Sequence, residues 1–140
     1  MFGLIEFLTG GKRRKEAARQ LSFDDAIAAH EKWKERLLNI AGGNSPELIS
    51  LNIDDIRCDD KCTLGIWIHE VAKDKFGKDQ IFADLLHEHA AFHICAADVI
   101  EHAKRKRLSY SRAIINGSFT RISQKVVRLL EMLRSKYARL

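Results

Sequence analysis

The chain has 140 residues, enough for one domain that buries a modest core of its own. Hydrophobic residues make up 46% and charged residues 31%, the balance of a globular domain, and no apolar run approaches the ~20 residues that span a bilayer. A net charge of +5 comes without aromatic–basic interleaving and without a helix-turn-helix or RNA-binding signature, so solvated helix faces account for it better than a nucleic-acid surface.

Residues 1–20 read as an N-terminal leader: a short apolar stretch, Gly10-Gly11, then the basic cluster Lys12–Lys15. It is no signal peptide, since Glu6 interrupts the apolar stretch and the basic residues follow it. A cytoplasmic location is expected. Cys58, Cys62 and Cys95 form no even, closely spaced disulfide framework, and a reducing compartment suits them better.

Residues 21–140 read as one helical domain, because the chain is rich in Ala, Leu, Lys and Glu and holds a single proline. Ser22 opens the first helix, with Asp25 completing a capping-box-like signature, and Gly42-Gly43 stops it after Ala41. Pro46 suits a turn or the start of a short helix, and residues 47–58 are expected to be irregular or short helical structure. A second helix is predicted over about 60–75, ending at Phe76-Gly77, and a third over about 79–107. Asn116-Gly117-Ser118 predicts a break or kink before a last helix ending near Arg139. Four helices with short connections predict an all-α, antiparallel four-helix bundle.

Four side chains carry the chemistry. His89 and His93 lie four apart, on one helix face, and Phe82, Leu86, Ala96 and Ile100 share that face, so both imidazoles turn inward. His87 and His102 fall on the opposite, exposed side. His30 sits in the apolar stripe of Phe23, Ile27 and Leu37, and a buried imidazole without a partner costs about 1–3 kcal/mol. Cys62 precedes Gly65, a glycine whose cost in a helix is about 1 kcal/mol relative to alanine and whose bare backbone would let a neighbouring helix approach. Trp33 and Trp67 follow two of these residues and would wall the site from water. Cys58 and Cys95 are expected to be core residues. His69 lies two turns (~10 Å) beyond Cys62 and is expected in a supporting role or none. Three imidazoles and a thiol make a full tetrahedral set for zinc, with no position left for water or substrate.

The segments His30-Glu-Lys-Trp33, Cys62-Thr-Leu-Gly-Ile-Trp67 and His89-Ala-Ala-Phe-His93, in that order, resemble the chemoreceptor zinc-binding (CZB) domain family over about residues 20–138. The resemblance implies a bacterial cytoplasmic four-helix bundle that binds one Zn2+ per chain through His30, Cys62, His89 and His93. It also implies a tendency to form a homodimer, and a link to a chemoreceptor or diguanylate cyclase whose output the domain regulates in response to zinc or to an oxidant such as hypochlorous acid. The chain is too short to hold such an output domain itself.

The expected function is therefore a zinc-binding regulatory or sensory protein of signal transduction, not an enzyme. A structural, zinc-stabilised adaptor is the alternative. A di-iron, oxygen-binding bundle would need several inward carboxylates, and none stands beside His89 and His93.

Overall fold

A computed structural model describes residues 21–42 and 45–137. The expected leader with its Lys12–Lys15 cluster, Gly43 and Asn44, and residues 138–140 lie outside the described residues. All regular structure within them is helical, and no helix is long and apolar enough to cross a membrane.

Helix α1 (Phe23–Ala41) begins with the predicted cap. The Asp25 N–H donates to Ser22 Oγ at 3.1 Å, and the Ser22 N–H donates back to the Asp25 carboxylate at 3.4 Å. Ala26, His30, Trp33, Leu37 and Ile40 are buried, alternating steps of four and three that keep one face inward. Residues 47–58 hold two short helices, α2 (Glu47–Ser50) and α3 (Ile53–Arg57), the latter capped by the Asn52 side chain.

The second arm starts later than expected. Asp59-Asp60 form a turn instead of a first helical turn, and helix α4 (Thr63–Ile66) has Cys62 as its cap, with the Gly65 N–H donating to the sulfur at 3.2 Å. A π-helical stretch, Trp67–Ala72, continues α4 into α5 (Lys73–Phe76).

The third arm, α6 (Gln80–Lys104), ends three residues before the predicted 107. Lys106 takes φ 59, its N–H returns to the Ala103 carbonyl, and the Arg107 N–H returns to the His102 carbonyl. That is a Schellman stop with lysine where glycine is usual. The last arm runs without a break from α7 (Leu108–Ile114) through a π-helical stretch, Ile115–Phe119, into α8 (Thr120–Tyr137). The predicted interruption at Asn116-Gly117-Ser118 is thus a widened turn, which satisfies its backbone in place.

The rings of Phe23, Phe76 and Tyr137 stack in sequence at one end, the foot, and Lys104 donates to the Leu51 carbonyl near the other, the head. So α1 and α6 rise from foot to head, α4 and α5 descend to the foot, and α7 and α8 return to it. Helix α6 packs against α1, α3, α7 and α8 and is buried on several sides through Phe82, Leu85, Phe92, Ala96, Val99 and Ile100. The fold is all-α, with one of its four arms divided between α2–α3 and α4–α5. That division puts a loop end and a helix start opposite the middle of α6.

Candidate metal centre

The middle of α6 presents His89 and His93, 1% and 0% exposed, on its inward face. Their Nε2 atoms stand 3.1 Å apart. The Cys62 sulfur, at the start of α4, lies 3.5 Å from His89 Nε2 and 3.4 Å from His93 Nε2. These three donor atoms fall within 4.8 Å of one another. Cys62 is half-buried as a residue, with its sulfur turned into the cluster.

The second nitrogen of His93 is spoken for. Its Nδ1–H donates to the Ile56 carbonyl at 2.8 Å, and a carbonyl can only accept, so the neutral ring keeps its lone pair on Nε2, toward the cluster. The last turn of α3 thereby sets the tautomer of a residue 37 positions away. His89 Nδ1 is buried without a hydrogen-bond partner among the described residues. Between the two facing Nε2 atoms and the sulfur, few hydrogens exist to make the short contacts favourable. A cation with soft and imidazole affinity resolves that conflict, and this donor set fits zinc.

Burial governs the protonation of these groups. It lowers His30 to about 3, with the charges of His93 and Lys34 adding to the effect. It also lowers His89, reinforced by His93, His30 and His69, and His93, against the opposing pull of the Ile56 carbonyl. All three imidazoles are thus neutral electron-pair donors at pH 7. The thiol goes the other way: burial pushes Cys62 up to about 12, despite the Gly65 N–H. A thiolate ligand therefore requires that its proton leave as a metal binds.

His30, the fourth residue singled out in the sequence, is 3% exposed but stands outside the three-atom cluster. Its Nε2 lies 2.9 Å from Ser123 Oγ on α8, and its ring packs at 4.6 Å on Phe92. Phe92 also meets Trp33 at 5.3 Å, His93 at 5.7 Å and Phe119 at 5.1 Å, so one ring touches both α1 and the π-helical stretch of the last arm beside the centre. Trp33 walls the site as expected, 5.3 Å from His93. Trp67 instead packs edge-on against Phe23 at 5.5 Å, toward the foot.

Gly65 has its packing reason, though not the expected one. A Cβ there would overlap the Asp59 carbonyl oxygen and lie 2.9 Å from its carbon, so the nearest approach is that of the chain folding over its own helix start. His69 is bound to that same loop, its Nε2 3.2 Å from the Asp59 carboxylate. His87 is exposed as expected, but His102 is half-buried and stacks on Tyr110 at 5.4 Å.

Phe92, Ser123 and the Ile56 carbonyl were not among the sequence candidates. Phe92 was within reach, since it follows His89 by three on the same helix. Ser123 shows as one hydroxyl in the buried stripe Phe119, Val126 and Leu130. A backbone carbonyl leaves no mark on residue identity.

The family model for the chemoreceptor zinc-binding domain matches residues 30–100, just over half of the chain. No curated protein and no solved structure gives a significant match. The matched stretch begins at His30 and holds Cys62, His89 and His93, the residues on which the geometry converges. This chain belongs to the chemoreceptor zinc-binding domain family.

Proposed function

We propose that this chain is a zinc-responsive regulatory protein of bacterial signal transduction, holding one Zn2+ per chain through Cys62, His89, His93 and His30. The observation that carries this reading is the buried convergence of the Cys62 sulfur with the Nε2 atoms of His89 and His93, with His93 already oriented by the Ile56 carbonyl. His30 enters through the family motif, and its burial beside Phe92 supports the assignment. A fully ligated zinc leaves no open position for substrate, so the role is not catalytic.

When bound, the ion supplies one Lewis-acid centre shared by three helical elements. The chain's own residues do the rest. Ile56 orients His93, Trp33 and Phe92 exclude water, and the Asp59 turn seats Cys62 at the start of α4. Loss of the Cys62 ligand, by metal withdrawal or by oxidation to a sulfenic acid, frees the α3–α4 connection from α6. The change reaches a homodimer surface, and from there a chemoreceptor or a diguanylate cyclase in the cytoplasm.

The enclosed sulfur favours a second reading, a structural zinc site in an adaptor protein. Treating the zinc-loaded chain with hypochlorous acid beside a chromogenic chelator separates the two. Sensing predicts zinc release in step with loss of the Cys62 thiol. Retention of both zinc and thiol would leave the structural role.

A further inference from the structure

Three residues of the buried stripe along the last arm, Phe119, Val126 and Leu130, are apolar, and the fourth is Ser123; all four are 0% exposed. A hydroxyl in such a place needs a partner, and the one it has is His30 Nε2 at 2.9 Å. The two residues are 93 positions apart in the chain, so this contact is made only by the fold. Helix α8 begins at Thr120, beyond the stretch matched by the family model.

A neutral imidazole carries one N–H, and its neighbour decides where. A carbonyl does this for His93. Because Nε2 faces Ser123, only Nδ1 is left to meet a metal. A ring that ligates through Nδ1 carries its proton on Nε2, so the serine oxygen accepts. With Nε2–H donated to Ser123, the lone pair of His30 sits on Nδ1. The opposite arrangement, Ser123 donating to Nε2, would put the proton on Nδ1 and leave that ring no free nitrogen. Partners behind metal-bound imidazoles commonly fix the ring in this way.

We propose that Ser123 is a positioning residue for the zinc site: its hydroxyl accepts the His30 Nε2–H, presents Nδ1 as the ligating nitrogen, and so couples α8 to metal occupancy. This rests on the reading of His30 as a zinc ligand. It assigns α8 a mechanical link to the centre that passes through one hydrogen bond.

The test has two parts. Long-range 15N–1H spectra of the native, zinc-loaded chain read the His30 tautomer without any substitution. Competitive zinc titration then compares native protein with Ser123→Ala, Ser123→Thr, His30→Ala and the double variant Ser123→Ala/His30→Ala. The expected results are a proton on His30 Nε2 and a roughly 10–100-fold loss of zinc affinity in Ser123→Ala. Threonine should restore much of that loss, and Ser123→Ala should cost nothing further once His30 is alanine. A proton on Nδ1, native affinity in Ser123→Ala, or an additive loss in the double variant would overturn the proposal while leaving the zinc site standing. A native chain that takes up no zinc would overturn both. If Ser123→Ala does not fold, the tautomer of the native protein decides.

Discussion

The foot of the bundle and its metal centre are built from the same arms and closed by opposite means. At the foot, Phe23, Phe76 and Tyr137 pack ring against ring, with Trp67 edge-on to Phe23. Asp79 caps α6 through the Ile81 N–H at 2.8 Å, and accepts from Tyr137 at 2.5 Å and Lys136 at 2.6 Å. The Asp79 carboxylate there has its complements within the chain. At the centre, two imidazole nitrogens and a sulfur face one another at 3.1–3.5 Å, and His89 Nδ1 has no partner among the described residues. The foot closes itself, whereas the centre offers three converging donor atoms that an ion would complete.

Removing the ion breaks that contrast most sharply. A ligand present at a thousandfold excess over its dissociation constant adds about 4 kcal/mol to stability. Stripping zinc, or replacing Cys62 by serine, should therefore lower Tm by roughly 10–20 °C. Hydrogen exchange should rise first in residues 51–66 and leave the foot protected. Uniform loss of protection along the chain would show that the two regions do not differ in this way.

Gly65→Ala attacks the centre through its backbone alone. The added methyl group overlaps the Asp59 carbonyl, so the turn must move, and a destabilisation of about 1–3 kcal/mol is expected. Zinc affinity should fall with it, because the same turn seats Cys62. Denaturant titration with and without zinc measures both effects.

A milder probe belongs to the foot. Hydrogen bonds from Lys136, Tyr137 and the Ile81 N–H hold the Asp79 carboxyl down at about 2, against an ordinary value of 3.8. The folded state thus prefers the ionised form, so the stability this group contributes is present above about pH 4 and drains away as pH falls toward 2. Asp79→Asn in the zinc-free chain should flatten the Tm–pH curve between pH 4 and 2 and lower Tm modestly at pH 7. An unchanged slope would show that Asp79 does not hold the foot together.

These contrasts also explain what the residues disclosed in advance. Helix α1 was legible because Ser22, Asp25 and a regular apolar spacing all speak of the same element. Cys62, His89 and His93, which the fold brings together, were legible because imidazoles and a thiol in apolar surroundings are chemically conspicuous. The start of the second arm was not: Asp59-Asp60 resembles an acidic first turn, and a cysteine is an unusual cap. Gly65 announced a close approach without saying that its partner was the Asp59 carbonyl of the same loop. The end of α6 hid behind Lys106, a lysine in a conformation usually left to glycine. The hold on His93 comes from a carbonyl, which every residue possesses. The sequence placed His30 beside the other three, whereas the fold gives it Ser123 as its immediate partner.

X-ray absorption at the zinc edge of the chain, purified without added metal, tests the central claim most directly. The account predicts zinc with one sulfur at about 2.3 Å and three nitrogens at about 2.0–2.1 Å. Absent zinc, or zinc with no sulfur in its shell, would contradict it.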